Sequence, residues 1–122
     1  MANIGGWWLA KFKAWPGESV ELSFLANRTQ SSNRAVGGKL FATNQRIIFL
    51  PHLCDHLSGG NTFQASFAEI TEISRLPAGG DLFGGGLRDR LKIGLTTHAE
   101  LFVVNKLDYV IEALNQRWQD HA

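Results

Sequence analysis

The chain alternates apolar and polar positions in short runs for most of its length. Val20, Leu22 and Phe24 share one face of an extended segment, and Glu21 and Ser23 share the other. That is the pattern of a half-buried strand over 19–26. The polar stretch from Asn27 to Arg34 reads as a loop. Two apolar runs, Lys39 to Ala42 and Ile47 to Leu50, then flank Thr43-Asn44-Gln45-Arg46. This predicts a β-hairpin, since Asn44 tolerates the left-handed backbone of a tight reversal. Gly37 and Gly38 open the unit, and Pro51 closes it because proline cannot donate to a ladder. Ile47 to Leu50 is apolar on both faces, so both faces require a cover.

Further strands follow. Phe63, Ala65 and Phe67 alternate. Ile70, Ile73 and Leu76 recur every three residues, a spacing closer to a helical turn, and a strand with a bulge over 70–75 is the expectation. Leu91, Ile93 and Leu95 alternate again, Thr97-His98-Ala99 reverses the chain, and Glu100 to Val104 forms the last strand. Leu107, Val110, Ile111, Leu114 and Trp118 then make one apolar helical stripe. Asn105 is placed to cap that helix, with Asp108 favouring its positive end. The prediction is a mainly β domain: a bent antiparallel sheet or partly open barrel of about seven strands, closed by a C-terminal helix. About 20 Å of helix matches the length of a six-residue strand, so one helix can plug one end. Side chains should fill the interior of so small a barrel.

The hairpin also carries a resemblance. G-K-L-F-A-T-N-Q-R-I-I-F-L resembles the signature of GRAM domains, which share the pleckstrin-homology-like fold. Pro16-Gly17-Glu18 looks like the family's opening, and Ser66-Phe67-Ala68-Glu69-Ile70 is similar to a later motif. The resemblance covers roughly residues 16–118. It implies a seven-strand sheet with a terminal helix, and a non-catalytic module that recruits a membrane lipid headgroup or a protein. Basic residues around the first inter-strand loop of inositol-lipid-binding relatives imply an anion site here at Arg28, Arg34, Lys39 and Arg46. No acidic residue lies between Glu21 and Asp55.

Residues 1–15 stand apart from the domain at 16–122. Trp7, Trp8, Phe12 and Trp15 fall on one face of a short helix, with Lys11 and Lys13 the only charges before Glu18. One reading packs Trp7, Trp8 and Trp15 as an apolar contact on the domain or on a second subunit; the other rests them at a membrane interface. A self-assembling or protein-interaction unit built on these tryptophans is therefore the alternative function, and a homo-oligomer is compatible with it.

Length and charge narrow the rest. At 122 residues, 44% of them hydrophobic, the chain suits a single folded domain. Twelve basic against eleven acidic residues give no drive toward nucleic acid. The single cysteine, Cys54, excludes an internal disulfide and agrees with a cytoplasmic protein, soluble or peripheral to a membrane. No run approaches the ~20 apolar residues of a bilayer span. His52, Cys54 and His56 offer metal ligands at a spacing that matches no standard zinc site, which leaves a small metal-dependent enzyme as a remote alternative. Gly84-Gly85-Gly86 precedes no Lys-Ser/Thr pair, so it is not a P-loop. No catalytic residue, cofactor or metal site is expected.

Overall fold

The computed structural model describes residues 13–31, 34–52, 62–78 and 88–121. Seven strands form one sheet: β1 (Val20–Ser31), β2 (Arg34–Thr43), β3 (Arg46–Pro51), β4 (Phe63–Ser66), β5 (Ile70–Leu76), β6 (Arg90–Leu95) and β7 (Ala99–Val104). A 3₁₀ turn (Phe67–Glu69) separates β4 from β5, and one helix, α1 (Leu107–His121), ends the chain. The strand order is β4-β3-β2-β1-β7-β6-β5, and all neighbours are antiparallel.

This order forces the sheet to curl. β4 and β5 are its two edges, yet three residues join them. The edges must therefore lie close together, and the sheet becomes a nearly closed barrel. The connection is a tight one: Glu69 Oε1 accepts from the Ser66 amide at 2.8 Å. Helix α1 covers the remaining gap. Its Trp118 Nε1 donates to the Phe67 carbonyl at 3.2 Å, and Asn115 Nδ2 donates to the Ile73 carbonyl at 3.0 Å. The helix is thus tied by hydrogen bonds to the turn between the edges and to β5.

The apolar stripe expected for the helix is the stripe it packs. Val110 and Leu114 are buried in the core, with Leu107, Ile111 and Trp118 packed against it. The helix packs chiefly against β5 and β6, and its stripe joins one core with Ala26 of β1, Val36 and Leu40 of β2, Ile47 and Phe49 of β3, Ile70 and Ile73 of β5, Ile93 of β6 and Phe102 of β7. Phe102 sits 5.6 Å from Phe49 and 6.1 Å from Phe63 between ring centroids, so the last strand ties the hairpin side of the barrel together.

Three expectations about local structure are resolved here. The bulge near Ile70 is present, as a register shift between Ile70 and Glu72. The polar stretch from Asn27 does not leave the sheet. β1 runs on to Ser31 and β2 begins at Arg34, with Arg28 opposite Val36 and Thr29 opposite Ala35. A ladder is made of backbone bonds, so polar side chains extend it as well as apolar ones where the facing strand supplies partners. The helix cap is displaced by one residue from Asn105. Lys106 takes a left-handed φ of 53°, and its carbonyl accepts from the Val110 amide, which puts Lys106 at the N-cap position.

Gly38 is fixed by close approach. It faces Ala26 on one side and Pro51 on the other. A Cβ on Gly38 would run into the Leu50 carbonyl oxygen and the Pro51 Cα. Gly38→Ala should therefore destabilise the domain by about 1–3 kcal/mol, the usual cost of overpacking. Urea denaturation checks it: a lower midpoint with an unchanged slope is expected, and an unchanged midpoint would show that β3 yields without cost.

Candidate functional site

The candidate site forms where the segment before β1 crosses the hairpin turn. Four residues of that turn bind the incoming chain. Asn44 Oδ1 accepts from the Ser19 amide at 3.0 Å, and Asn44 Nδ2 donates to the Gly17 carbonyl at 3.1 Å. Gln45 Nε2 donates to the Pro16 carbonyl at 2.9 Å. Thr43 Oγ1 accepts from the amides of Gln45 and Arg46, which closes the reversal. Gly17 takes a φ of 75°, a left-handed turn that suits glycine. The residues that carry the GRAM resemblance, Pro16-Gly17-Glu18 and Thr43-Asn44-Gln45-Arg46, are thus two halves of one contact.

At its centre Glu18 and Arg46 are both buried. Arg46 Nε donates to Glu18 Oε2 at 2.7 Å, and Nη2 donates to Oε1 at 2.9 Å, a two-pronged pair. The carboxylate takes two more donors, the Thr43 hydroxyl at 2.7 Å and the Trp15 amide at 2.9 Å. Arg46 also donates to the Lys13 carbonyl, at 2.9 Å, and to Gln64 Oε1. Its guanidinium lies over the Trp15 ring, 4.0 Å from the centroid. Burial pushes the Glu18 pKa up and is the largest single influence on it. The bonds from Arg46, the Trp15 amide and Thr43, with the charge of Arg46, together outweigh burial and hold the carboxyl below its ordinary value of 4.5.

Beside Arg46 lies a cavity of about 460 Å³ on the outer face of the barrel. Lys13, Ala14, Trp15 and Pro16 form one wall; Arg46, Ile48 and Leu50 of β3 and Gln64 of β4 form much of the rest. Trp15 remains 39% exposed at the rim. Ile48 and Leu50, its floor, are buried, as is Phe41, which opposes Ile48 across β2 and β3. β3 is buried at all six positions, as its two-faced apolar pattern requires.

The four basic residues singled out in the sequence do not share one face. Arg28 points to the barrel side, aligned with Val36, where its Nε donates to Glu100 Oε1 at 2.8 Å. Its guanidinium stands 5.5 Å from the Phe63 ring centroid, and the second Glu100 oxygen lies 2.8 Å from His98 Nε2. Lys39 and Arg46 belong to the opposite, outer rows of β2 and β3, Lys39 being paired with Leu50. Arg34 opens β2 opposite Ser31, so Arg28 and Arg34 belong to strands and not to a loop. Trp15 is part of the site. Trp7 and Trp8 lie outside the described residues, as do Cys54, His56 and the glycines at 84–86; His52 follows β3 with its amide on the Gly37 carbonyl.

Glu18 and Thr43 stand in the sequence only as parts of motifs, and neither they nor Gln64 is marked there as a site residue. A signal existed for Glu18: an arginine next to I-I-F-L, with no acidic neighbour in sequence, needs a carboxylate from elsewhere if its strand is covered on both faces. Because the folded-state pKa of Glu18 is lowered, the pair contributes fully above the unfolded value near 4.5, and that contribution is lost as pH falls through the lower folded value. Glu18→Gln should flatten the acid side of the stability–pH curve. Glu18→Ala should cost about 3–5 kcal/mol at neutral pH, since it strands a buried guanidinium. Thermal melts from pH 7 to pH 3 check both, and an equal acid slope in wild type and Glu18→Gln would contradict the assignment.

No family model matches the chain, and no curated protein does. Among solved structures, the chain is similar to the C-terminal domain of an unknown protein from Leishmania infantum, with a TM-score of 0.63 and 20% identity over 85% of this chain and 87% of that one. It is also similar to the Vps36 N-terminal PH domain, with a TM-score of 0.61 and 14% identity over 95% of this chain and 86% of that one. At these identities the likeness concerns the fold. The curled seven-strand antiparallel sheet with its C-terminal helix is a pleckstrin-homology-like fold.

Proposed function

We propose that this protein is a non-catalytic, cytoplasmic binding module of GRAM type that recruits a protein partner through the outer face of β3 and β4. One observation carries the reading: the cavity walled by Lys13–Pro16 and floored by Ile48 and Leu50. Its volume falls within the range of about 300–1,000 Å³ usual for ligand sites, and its lining is mostly apolar with a few convergent polar groups. Trp15, Pro16, Ile48 and Leu50 suit an aromatic or aliphatic side chain. Trp15 at the rim is of a residue type that dominates protein-binding hot spots.

The charges favour a protein over an anionic lipid. Two of the four basic residues, Arg28 and Arg46, already hold carboxylates at 2.8 Å and 2.7 Å. A phosphate would have to displace Glu100 or Glu18 to reach them, and displacing Glu18 would dismantle the strap. No helix among the described residues is long and apolar enough to cross a membrane.

Co-sedimentation with neutral and anionic vesicles at low and physiological salt tests the choice. Equal, weak sedimentation with both vesicle types is the expected result. Binding to anionic vesicles that falls with salt and is lost in Lys39→Glu would establish a lipid headgroup as the ligand and overturn the protein reading. In a parallel peptide-library selection, ligands rich in Trp or Phe should shift the amide resonances of Ile48, Leu50 and Gln64. Shifts confined to other surfaces would refute the site.

A further inference from the structure

Among the described residues, the lining of the outer cavity carries charge of one sign. Lys13 and Arg46 are cations, and every other lining residue is apolar or neutral. The two cations stand differently. Arg46 is committed to Glu18, whose side chain is 1% exposed and takes no part in the lining. Lys13 is exposed, and only its carbonyl is engaged, by Arg46 Nη2 at 2.9 Å. Its ammonium makes no ion pair among the described residues. The bond to its carbonyl fixes Lys13 at the cavity wall, so that charge stays beside the apolar floor of Ile48 and Leu50.

Gln64 adds a donor. A guanidinium has no acceptor, so the carboxamide turns its oxygen to Arg46 Nη1, and its Nε2 keeps two N–H groups without a partner among the described residues. An apolar hollow thus has an ammonium and an amide N–H at its edge, and no carboxylate to answer them. We propose that its occupant is an acidic peptide segment: an aromatic or aliphatic side chain enters the cavity, and a carboxylate next to that anchor in the peptide meets Lys13 and Gln64. A basic segment is rejected by the same charge. A carboxylate suits the site better than a phosphate does. One lysine and neutral donors match a single charge, whereas the planar fork that matches phosphate oxygens, Arg46, is already held by Glu18.

This inference rests on the reading of the cavity as a protein-docking site, and its test separates the two. Acetylated and amidated nine-residue peptides share a central Phe in a Gly-Ser background and differ at the two flanking positions, which are Asp, Asn or Lys. Each is titrated into full-length protein at low salt, with the amide resonances of Ile48, Leu50 and Gln64 as the readout. The Asp peptide should bind about two- to fivefold more tightly than the Asn peptide, the range of a rim ion pair, and the Lys peptide most weakly. The advantage of Asp over Asn should shrink with added salt and vanish in Lys13→Gln, with Asn-peptide affinity unchanged. Lys92→Gln makes the same change in net charge on β6, beside Glu72, and should retain it. Equal affinities for the Asp and Asn peptides, with all three resonances shifting, would overturn the acidic partner and leave the docking site standing. An advantage that survives Lys13→Gln would also overturn it. No shift at these residues with any peptide would refute the docking site and this inference together. Binding to anionic vesicles that is lost in Lys13→Gln would make the occupant a lipid headgroup and overturn both.

Discussion

A buried carboxylate and a buried guanidinium hold this molecule's outer face in order. Neither Glu18 nor Arg46 can be left alone in an apolar setting, because an unpaired buried charge costs several kcal/mol. Each therefore dictates where the other goes. Glu18 draws the segment before β1 onto the hairpin turn, and Arg46 holds that segment by its Lys13 carbonyl and its Trp15 ring. The cavity wall exists because the strap is held, and the strap is held because the pair must be satisfied.

The barrel obeys a different constraint. Three residues join the two edge strands, so the sheet curls until its edges nearly meet, and α1 bonds a carbonyl of the joining turn through Trp118 and one of β5 through Asn115. These two organising features sit on opposite sides of β3. Its inward residues Ile47 and Phe49 belong to the core, and its outward residues Arg46, Ile48 and Leu50 belong to the strap and cavity. A strand that serves two layers has no polar face, and its sequence R-I-I-F-L-P reflects that.

Most of the fold was legible in the sequence, because period-two alternation and the helical stripe of Leu107 to Trp118 report burial directly. The bulge at Ile70 was legible only when a three-residue spacing was set against the needs of the sheet. The extent of β1 was not, because Asn27 to Ser31 pair through their backbones and carry polar side chains that resemble a loop. The candidate site was half legible. Trp15 and Arg46 stood out as residue types, but Arg46 reads as a surface cation until Glu18, distant in sequence, is seen beside it. Likewise Arg28 looks available for an anion until the fold brings Glu100 from β7 to it.

The likeness to pleckstrin-homology-like structures rests on the barrel, whereas the proposed binding surface rests on the strap, so the two stand on separate observations. The most direct test of the account is a double-mutant cycle at Glu18 and Arg46, read by chemical denaturation of Glu18→Ala, Arg46→Ala and the double variant. A strong coupling is expected, of about 3 kcal/mol and close to the loss in either single variant, so that the double variant is little worse than either single one. Additive losses would mean that the two residues act independently, and would contradict the claim that their pairing holds the strap to the hairpin.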